Sequence, residues 1–489
     1  MLKAALFALV LISFTAHGRL VQIIHTNDLH SFFDGTRAGM GGYGKIKTVM
    51  DQLRQEARAK NIPSLTLDAG DFGEGSSFFL SDEGVDSLRA LELLGIDAAV
   101  IGNHDFILGG DELARQLKRA NISTTILSAN LTGKKEMGLE GLVPNHKDFN
   151  IDNLKIRVLG LTTSQIHFQY PLKPLGKILS EIDVGLEEEK KAWAEGSDFT
   201  IALTHIGHKT DFKLGRESKN IHLIVGGHSH TRFDKIQYVW NKKRQKVPVV
   251  QTGAHGVAVG SLILDLKGKG KYEIVSYKLH SITKEIPSHE KLNTFIEEAK
   301  VKRDQYFGRN WNEEIGMSAI PLSGYSNGKI KSMKTCWSKH LARMTKEAAG
   351  ADIGVQFDNM QGEEISPGTI TFGDIIDNFP HFRKFGDGGW SISKSRINGF
   401  LVKQVMQIIS KTSLGVTVYG LTEGQKIVNN KTYVMAFPSE IAYGVEGLST
   451  KLRDILLPGL IETEVKYWSV IENYIRTHSP LVCLPKEKQ

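Results

Sequence analysis

Five short apolar runs in the chain each end in side chains that bind metal ions in other proteins. The clearest is IHLIVGGHSH, residues 221–230, in which two histidines follow an apolar run and two glycines. The pattern recurs in LVQIIHTNDLH, SLTLDAGD, AAVIGNHD and FTIALTHIGH. One such His or Asp is ordinarily a satisfied polar group, but a set of seven drawn from five run ends predicts a shared metal site. The residues at these ends are Asp28, His30, Asp71, Asn103, His104, His205, His208, His228 and His230.

The types of these side chains constrain the chemistry of the site. Oxygen and imidazole ligands without a thiolate favour Mn, Zn, Fe or Mg over a closed structural zinc site. Seven ligands are too many for one tetrahedral ion, and they suit two divalent ions that share a bridging carboxylate. Two such ions bring more positive charge than Asp28 and Asp71 return, so we expect a small anionic substrate. Metal binding also lowers the pKa of water toward neutrality, which favours hydrolysis of phosphoesters.

The elements that position these residues can be read from the same runs. Continuous apolar runs are typical of strands buried on both faces of a sheet. The segments YGKIKTVMDQLRQEARAK and GVDSLRALELLG have helical spacing, and Gly95 is a natural helix stop. This alternation predicts an α/β fold with the ligands at the carboxyl ends of strands. Asp28/His30 and His228/His230 are spaced by two, so an extended chain would direct both side chains of each pair to one side.

Length and composition limit the class of protein. A chain of 489 residues is too long for one core, so two domains are expected. Its 40% apolar and 24% charged residues are ordinary for a globular protein. The net charge of +7 is carried by dispersed Lys and Arg residues, which argues against a nucleic-acid partner. We expect a monomer.

The N-terminus predicts export. MLKAALFALVLISFTAHG, residues 1–18, has a Lys near its start, an apolar stretch and a small-residue cleavage site, as in a signal peptide. We therefore expect a mature chain that begins near Arg19, lacks an integral membrane segment and is periplasmic or extracellular. The two cysteines, Cys336 and Cys483, could form a disulfide in such a protein, and a buried free thiol at Cys336 is equally compatible with the sequence.

The motifs HTNDLH, LDAGD, VIGNHDF, THIGH and VGGHSH, in this order, resemble a known family. It is the exported 5′-nucleotidase / UDP-sugar hydrolase / 2′,3′-cyclic-nucleotide phosphodiesterase family of the calcineurin-like metallophosphoesterase superfamily. The resemblance implies a four-layer α/β/β/α sandwich followed by a smaller α/β C-terminal domain. The boundaries that it implies are a signal peptide at 1–18, a catalytic domain at 19–285, a linker helix at 286–312 and a C-terminal domain at 313–489.

The resemblance also implies roles for individual residues. Asp28, His30, Asp71 and His230 would hold one divalent ion, and Asp71, Asn103, His205 and His228 would hold the second. His104 would act on the leaving oxygen or on the transition-state charge. Where relatives have an Asp that orients this His, the chain has Ile107, so we expect Asp105 to take that role, with Asp111 as the alternative.

The C-terminal domain departs from the family pattern. FDNMQGEEISPGTITFGDI keeps Asn359 and Gly362 of the substrate-binding motif but has Glu364 in place of its Arg. Relatives have a nucleobase-stacking aromatic at the position that Glu440 occupies in this chain, and Tyr443 is the nearest residue that could replace it. The expected substrate-binding residues are therefore Asn359, Gly362 and Tyr443. Nucleotides are the default substrates. The alternatives are another anion, such as a thiosulfate-type ester, and a metal-binding pseudoenzyme.

Overall fold

The computed structural model describes residues 19–164, 176–323, 325–326, 329–330, 335–358, 361–362, 364–379, 390–410, 415–420, 426–439 and 450–484. The predicted signal peptide lies outside these residues. Within the ranges given above, no helix has the length and apolar character that crossing a bilayer requires.

Two six-stranded sheets form the N-terminal part of the molecule. The first has the order β12-β11-β1-β2-β3-β4, and β1 to β4 are parallel. Its strands are β1 (Arg19–Thr26), β2 (Ser64–Asp68), β3 (Ala98–Val100), β4 (Thr125–Leu127), β11 (Ala258–Gly268) and β12 (Lys271–Ser281). The second has the order β5-β6-β7-β8-β10-β9. Its strands are β5 (His146–Ile151), β6 (Leu154–Thr162), β7 (Phe199–His205), β8 (Leu223–Gly226), β9 (Gln237–Trp240) and β10 (Lys246–Val250).

Helices cover the outer face of each sheet. The first sheet packs against α1 (Tyr43–Arg58), α2 (Ser77–Asp82), α3 (Val85–Leu94), α4 (Gly110–Ala120) and α7 (Glu290–Phe307). The second packs against α5 (Glu181–Ala194) and α6 (His208–Glu217). The arrangement is the expected four-layer α/β/β/α sandwich. The two helices predicted from sequence are α1 and α3, and α3 ends at Gly95, which has a left-handed φ of 76°.

Burial on both faces explains why the strands are continuous apolar runs. In β1, Ile23 packs between the two sheets with Leu67 of β2 and Leu203 of β7. Its neighbour Ile24 points the other way and packs into the helix layer with Met50. Successive side chains of a strand face opposite sides, so a strand between two apolar layers needs an apolar residue at every position.

The C-terminal part has its own sheet and core. A five-stranded sheet has the order β19-β16-β20-β18-β21, from β16 (Ile353–Phe357), β18 (Ser391–Asn398), β19 (Val416–Tyr419), β20 (Thr432–Pro438) and β21 (Leu460–Lys466). Two short pairs are β13 (Glu314–Ser318) with β17 (Gly368–Thr371) and β14 (Tyr325–Ser326) with β15 (Lys329–Ile330). The helices are α8 (Cys336–Ala349), α9 (Phe372–Asn378), α10 (Gly399–Ile409), α11 (Thr450–Leu456) and α12 (Tyr467–His478).

The two cysteines are paired. Cys336 at the start of α8 and Cys483 near the end of the described chain form a disulfide with a Cα–Cα distance of 5.0 Å. The structure thus decides between the two alternatives that the sequence left open. The bridge ties the C-terminal segment to the first turn of α8, which packs in the C-terminal core through Trp337 and Leu341.

Candidate metal centre

Six of the seven predicted ligands converge at the carboxyl ends of strands from both sheets. Ligand atoms of Asp28, His30, Asp71 and His230 all lie within 4.8 Å of one another, and those of Asp71, His205 and His228 form a second such group. Asp71 belongs to both groups. The side-chain amide of Asn103, the seventh residue, is buried, and neither its oxygen nor its nitrogen has a hydrogen-bond partner among the described residues.

The spacing of two within each ligand pair had suggested extended chain, but the pairs are not extended. Asp28 and His30 have φ angles of 51° and 49°, and His228 and His230 have 75° and 51°. Asp71 has a φ of 55°. These left-handed conformations cost non-glycine residues about 1–3 kcal/mol each and persist only where surrounding contacts enforce them. The expected convergence of the pairs is present, but tight turns directly after the strands produce it.

Hydrogen bonds between the loops enforce these turns. The N–H groups of Asp28 and His30 donate to the carbonyl oxygens of Gly70 and Asp71 at 2.8 Å each, which joins the loops after β1 and β2. The His228 N–H donates to the Asp28 carboxylate at 3.1 Å, which joins the loop after β8 to the first sheet. The candidate site therefore spans the seam between the two sheets.

Gly227 is required where these loops meet. A Cβ atom at this position would lie 2.5 Å from the carbonyl oxygen of Ala69 and 2.8 Å from Nδ1 of His205. Both are too close for any side chain. The glycine before the two histidines thus allows the loop of the second sheet to approach the loop after β2.

Backbone carbonyls orient two of the imidazoles. The Nδ1 atoms of His30 and His205 lie 2.6 Å from the carbonyl oxygen of Glu74 and 2.7 Å from that of Ala69. With Nδ1 engaged by the backbone, Nε2 is the nitrogen that each ring can offer to a metal ion, as in metal-binding histidines with such partners. Nε2 of His205 lies 2.9 Å from an oxygen of the Asp71 carboxylate, and His205 is fully buried.

The electrostatics of the cluster keep the Asp71 carboxylate ionised. Burial by itself raises the pKa of Asp71, but His205, His104 and His30 outweigh it and hold that pKa well below its ordinary value. Burial also opposes a charge on His205, while the carboxylates of Asp71 and Asp28 raise the pKa of this imidazole to about 10. A carboxylate that stays ionised when fully buried favours a positively charged guest.

His104 lies beside the cluster and pairs with a residue that sequence reasoning missed. Its N–H donates to the Asp71 carboxylate at 2.8 Å, and its Nδ1 lies 2.5 Å from Oε2 of Glu74. The Glu74 side chain is completely buried. The available signal was an acidic residue between two glycines, three positions after Asp71, in DAGDFGEG.

Asp105, the residue expected to orient His104, has a different role, and its alternative Asp111 is exposed. The Asp105 carboxylate accepts hydrogen bonds from the N–H groups of Gly102, Asp71 and Gly73 at 2.8, 2.9 and 2.7 Å. It therefore holds the loop after β3 against the loop after β2. Asp111 is exposed in the first turn of α4. Asp105 was expected as the partner because it adjoins His104 in sequence, but the carboxylate that reaches the ring comes from another loop.

The expected substrate-binding residues are described only in part. Asn359, Tyr443 and Glu440 lie outside the described residues. Gly362 is described, and its N–H donates to the carbonyl oxygen of Asn378 at 2.7 Å. Glu364 is exposed.

Comparison with known proteins agrees with this arrangement. Residues 21–232 match the family described as calcineurin-like phosphoesterase, a range that includes all seven candidate ligands and His104. Residues 21–232 are a calcineurin-like phosphoesterase domain. Phosphoesterases of this family use divalent metals, so the cluster at the strand ends of the phosphoesterase domain is its candidate metal centre.

The similarity extends beyond the phosphoesterase domain. The chain is 25% identical over 536 residues to protein UshA of Yersinia enterocolitica, which covers 94% of this chain and 92% of that one. It is 27% identical over 406 residues to the trifunctional nucleotide phosphoesterase protein YfkN of Bacillus subtilis, but spans only 26% of that protein. The crystal structure of a 5′-nucleotidase precursor from Thermus thermophilus has the same fold, with a TM-score of 0.83 at 23% identity over 95% of this chain and 98% of that one.

These similarities confirm the predicted family resemblance and the predicted fold class. The family match over residues 21–232 also agrees with the predicted enzyme class, a metal-dependent phosphoesterase. The substrate of this chain, the number of its metal ions and its location are proposals.

Proposed function

We propose that this chain is an exported phosphoesterase that holds two divalent metal ions and hydrolyses phosphate monoesters, with nucleotides as the expected substrates. The observation that carries the proposal is the position of Asp71, whose carboxylate belongs to both groups of candidate ligands. A carboxylate shared in this way is typical of two-metal hydrolytic sites.

The residues present fit such a pair of ions. Asp28, His30, Asp71 and His230 would hold one ion, and Asp71, Asn103, His205 and His228 the other. Neither the oxygen nor the nitrogen of the buried Asn103 side-chain amide has a hydrogen-bond partner in the described chain, although such atoms ordinarily have one. A metal ion would give the amide oxygen a partner. When bound, two divalent ions would neutralise the substrate phosphate and activate water for attack.

The side chains of this protein supply the remaining functions. Backbone carbonyls hold His30 and His205 in the ring orientation that ligation needs. His104 lies next to the shared carboxylate and is the group best placed to act on the leaving oxygen or the transition-state charge. Recognition of the substrate by Asn359, Gly362 and Tyr443 is part of this proposal.

Export is supported by two independent features. The apolar segment at 1–18 has the pattern of a signal peptide. The disulfide between Cys336 and Cys483 is of a kind that persists in oxidising compartments and is rare in the cytosol. Mass spectrometry of the protein secreted from a bacterial host should show an N-terminus near Arg19. A retained 1–18 segment in exported protein would contradict this part of the proposal.

The proposed domains are 19–285 and 313–489, joined by 286–312. The last strand of the first sheet ends at Ser281, α7 occupies Glu290–Phe307, and β13 starts at Glu314. Limited proteolysis tests the boundaries, because each domain should survive as a fragment that ends within or beside the linker.

The activity is tested on the purified mature chain. Bound Mn, Zn, Fe and Mg are measured by mass spectrometry, and turnover is measured with an aryl phosphate, AMP, a cyclic nucleotide and a thiosulfate ester. We expect about two metal ions per chain and hydrolysis of the aryl phosphate and AMP. Hydrolysis of the aryl phosphate but not of AMP would support the proposed metal site and contradict the assignment of nucleotides as substrates. Bound metal without turnover of any ester would indicate a pseudoenzyme.

A further inference from the structure

We infer that Glu74 is the positioning residue of His104 and fixes the orientation and the tautomer of its ring. The inference rests on the proposed function, because His104 has a chemical task only if the site hydrolyses esters. From the sequence, the orienting carboxylate was expected within the segment GNHD itself. The structure instead brings Glu74 to the ring from the loop after β2.

The contact between the two side chains is direct and shielded from water. Oε2 of Glu74 lies 2.5 Å from Nδ1 of His104. The Glu74 side chain has no exposed surface, and that of His104 is 20% exposed. A buried carboxylate is an acceptor only, so the proton of this bond lies on Nδ1 and Nε2 is the nitrogen that can face a substrate.

The backbone on both sides holds Glu74 in place. Its carbonyl oxygen lies 2.6 Å from Nδ1 of His30, so the same residue orients a candidate ligand through its backbone and His104 through its side chain. A Cβ atom at Gly75 would lie 2.7 Å from the His30 ring, which shows how closely the loop follows that residue. On the other side, the Gly73 N–H donates to Asp105 at 2.7 Å. Asp105 therefore contributes to the pair indirectly, through the loop.

His104 is fixed at its backbone as well. Its N–H donates to Oδ1 of Asp71, the carboxylate common to both ligand groups. The ring also packs edge-on against His30, with centroids 4.8 Å apart at 83°. With backbone, ring face and Nδ1 all held, the remaining nitrogen has a defined position relative to the candidate metal centre. A catalytic imidazole needs both its tautomer and its position to be set in this way.

A double-mutant cycle tests whether Glu74 acts through His104. Glu74→Gln keeps the size of the side chain and removes the charge. We expect it to lower kcat about 10- to 100-fold, as loss of a supporting partner typically does, with bound metal unchanged. In the His104→Ala background the same substitution should change kcat less than twofold. Equal losses in both backgrounds would overturn the inference, because Glu74 would then act on something other than His104.

Glu83→Gln is the matched control. Glu83 is an acidic residue close by in the chain, but its carboxylate pairs with Arg119 instead of the candidate site. The control should keep the kcat and the metal content of the unsubstituted protein. Thermal unfolding of all variants shows whether any loss of turnover reflects misfolding.

A measurement without turnover separates the inference from the proposed function. Proton NMR of histidine-labelled protein should show a low-field Nδ1–H signal that is lost in His104→Ala and in Glu74→Gln and kept in Glu83→Gln. No such His104-dependent signal in the unsubstituted protein would overturn the pairing, even in an active enzyme. The signal in a protein that hydrolyses no ester would support the pairing and count against the proposed function.

Discussion

At the scale of single residues, the candidate site depends on which nitrogen of each imidazole is engaged by the protein. His30 and His205 bond backbone carbonyls through Nδ1, whereas His104 bonds the Glu74 carboxylate. A carbonyl fixes the orientation of a ring that binds a cation, and a carboxylate in addition stabilises a ring that becomes charged. The partners of the three rings thus agree with the assignment of His30 and His205 as candidate ligands and of His104 as a candidate catalytic group.

Two histidines of the same motif, THIGH, give the sharpest test at this scale. His205 points into the cluster, whereas Nδ1 of His208 lies 3.0 Å from the Ser229 hydroxyl. His205→Ala should reduce bound metal and lower kcat more than about 100-fold, since even outer partners of metal ligands are worth 10- to 100-fold. His208→Ala should retain both within about threefold. Metal analysis and turnover with an aryl phosphate measure the effects, and equal losses in the two variants would contradict the assignment.

At the scale of secondary structure, each of the strands β1, β2, β3, β7 and β8 has two roles. Its apolar run fixes it between two layers of the sandwich, and its carboxyl end places a ligand at the common edge. Residues just beyond the strands then adopt left-handed conformations, which bring side chains from β1, β2 and β8 together. Rigid strands followed by short constrained turns hold a site more precisely than long loops would.

His222, at the entry to β8, makes this part of the sandwich sensitive to acid. Its Nδ1 accepts a hydrogen bond from the Thr200 N–H at 2.9 Å, so the folded state needs the neutral ring. Burial lowers the pKa of His222 to about 4. The unfolded chain therefore binds a proton at higher pH than the folded chain, and stability present above pH 6.5 is lost as the pH falls toward 4. The loss should reach up to about 3 kcal/mol.

The matched variant for this prediction is His222→Asn, which keeps an acceptor for Thr200 and does not titrate. Free energies of unfolding are measured in urea with EDTA present, so that metal binding does not contribute. The stability advantage of the unsubstituted protein over the variant should shrink between pH 7 and pH 4. An advantage that is constant with pH would show that His222 does not titrate in this range.

At the scale of the whole molecule, the phosphoesterase domain and the C-terminal part make specific contacts. Arg37 forms an ion pair with Asp374, and Leu80 of α2 packs into the core of the C-terminal part. In the linker between the two parts, the guanidinium of Arg303 lies over the ring of Phe78 of α2, 5.1 Å from its centroid, and over the Trp311 ring, 3.9 Å from its centroid. In the structure described here the two parts are thus packed against each other beside the loop that carries Gly75.

The disulfide should stabilise the C-terminal part without affecting catalysis. Cys336 and Cys483 are 147 residues apart, so the bridge removes considerable freedom from the unfolded chain. The Cys336→Ser/Cys483→Ser variant should lose about 2–5 kcal/mol of free energy of unfolding. Urea unfolding followed by tryptophan fluorescence measures the loss, and reduction of the unsubstituted protein should reproduce it. Unchanged stability would contradict the prediction.

Much of the fold and the ligand set could be predicted from the sequence because both follow from patterns within single segments. Continuous apolar runs indicate strands covered on both faces, and Gly95 marks the end of a helix. Asp and His residues at the ends of those runs indicate a metal site, since parallel strands present their carboxyl ends at one edge. These inferences need only the order of residues along one segment at a time.

The tertiary structure alone decided what depends on distant segments. Glu74 reaches His104 from 30 positions earlier in the chain, and Asp105, the nearer acid, is used to hold the loops together. The ligand pairs converge through left-handed turns, which contacts between loops of both sheets impose on residues that would not adopt them alone. Packing likewise settled that Cys336 pairs with Cys483 and is not a free thiol. Which carboxylate orients a ring, and whether two thiols pair, depends on distances that no local pattern contains.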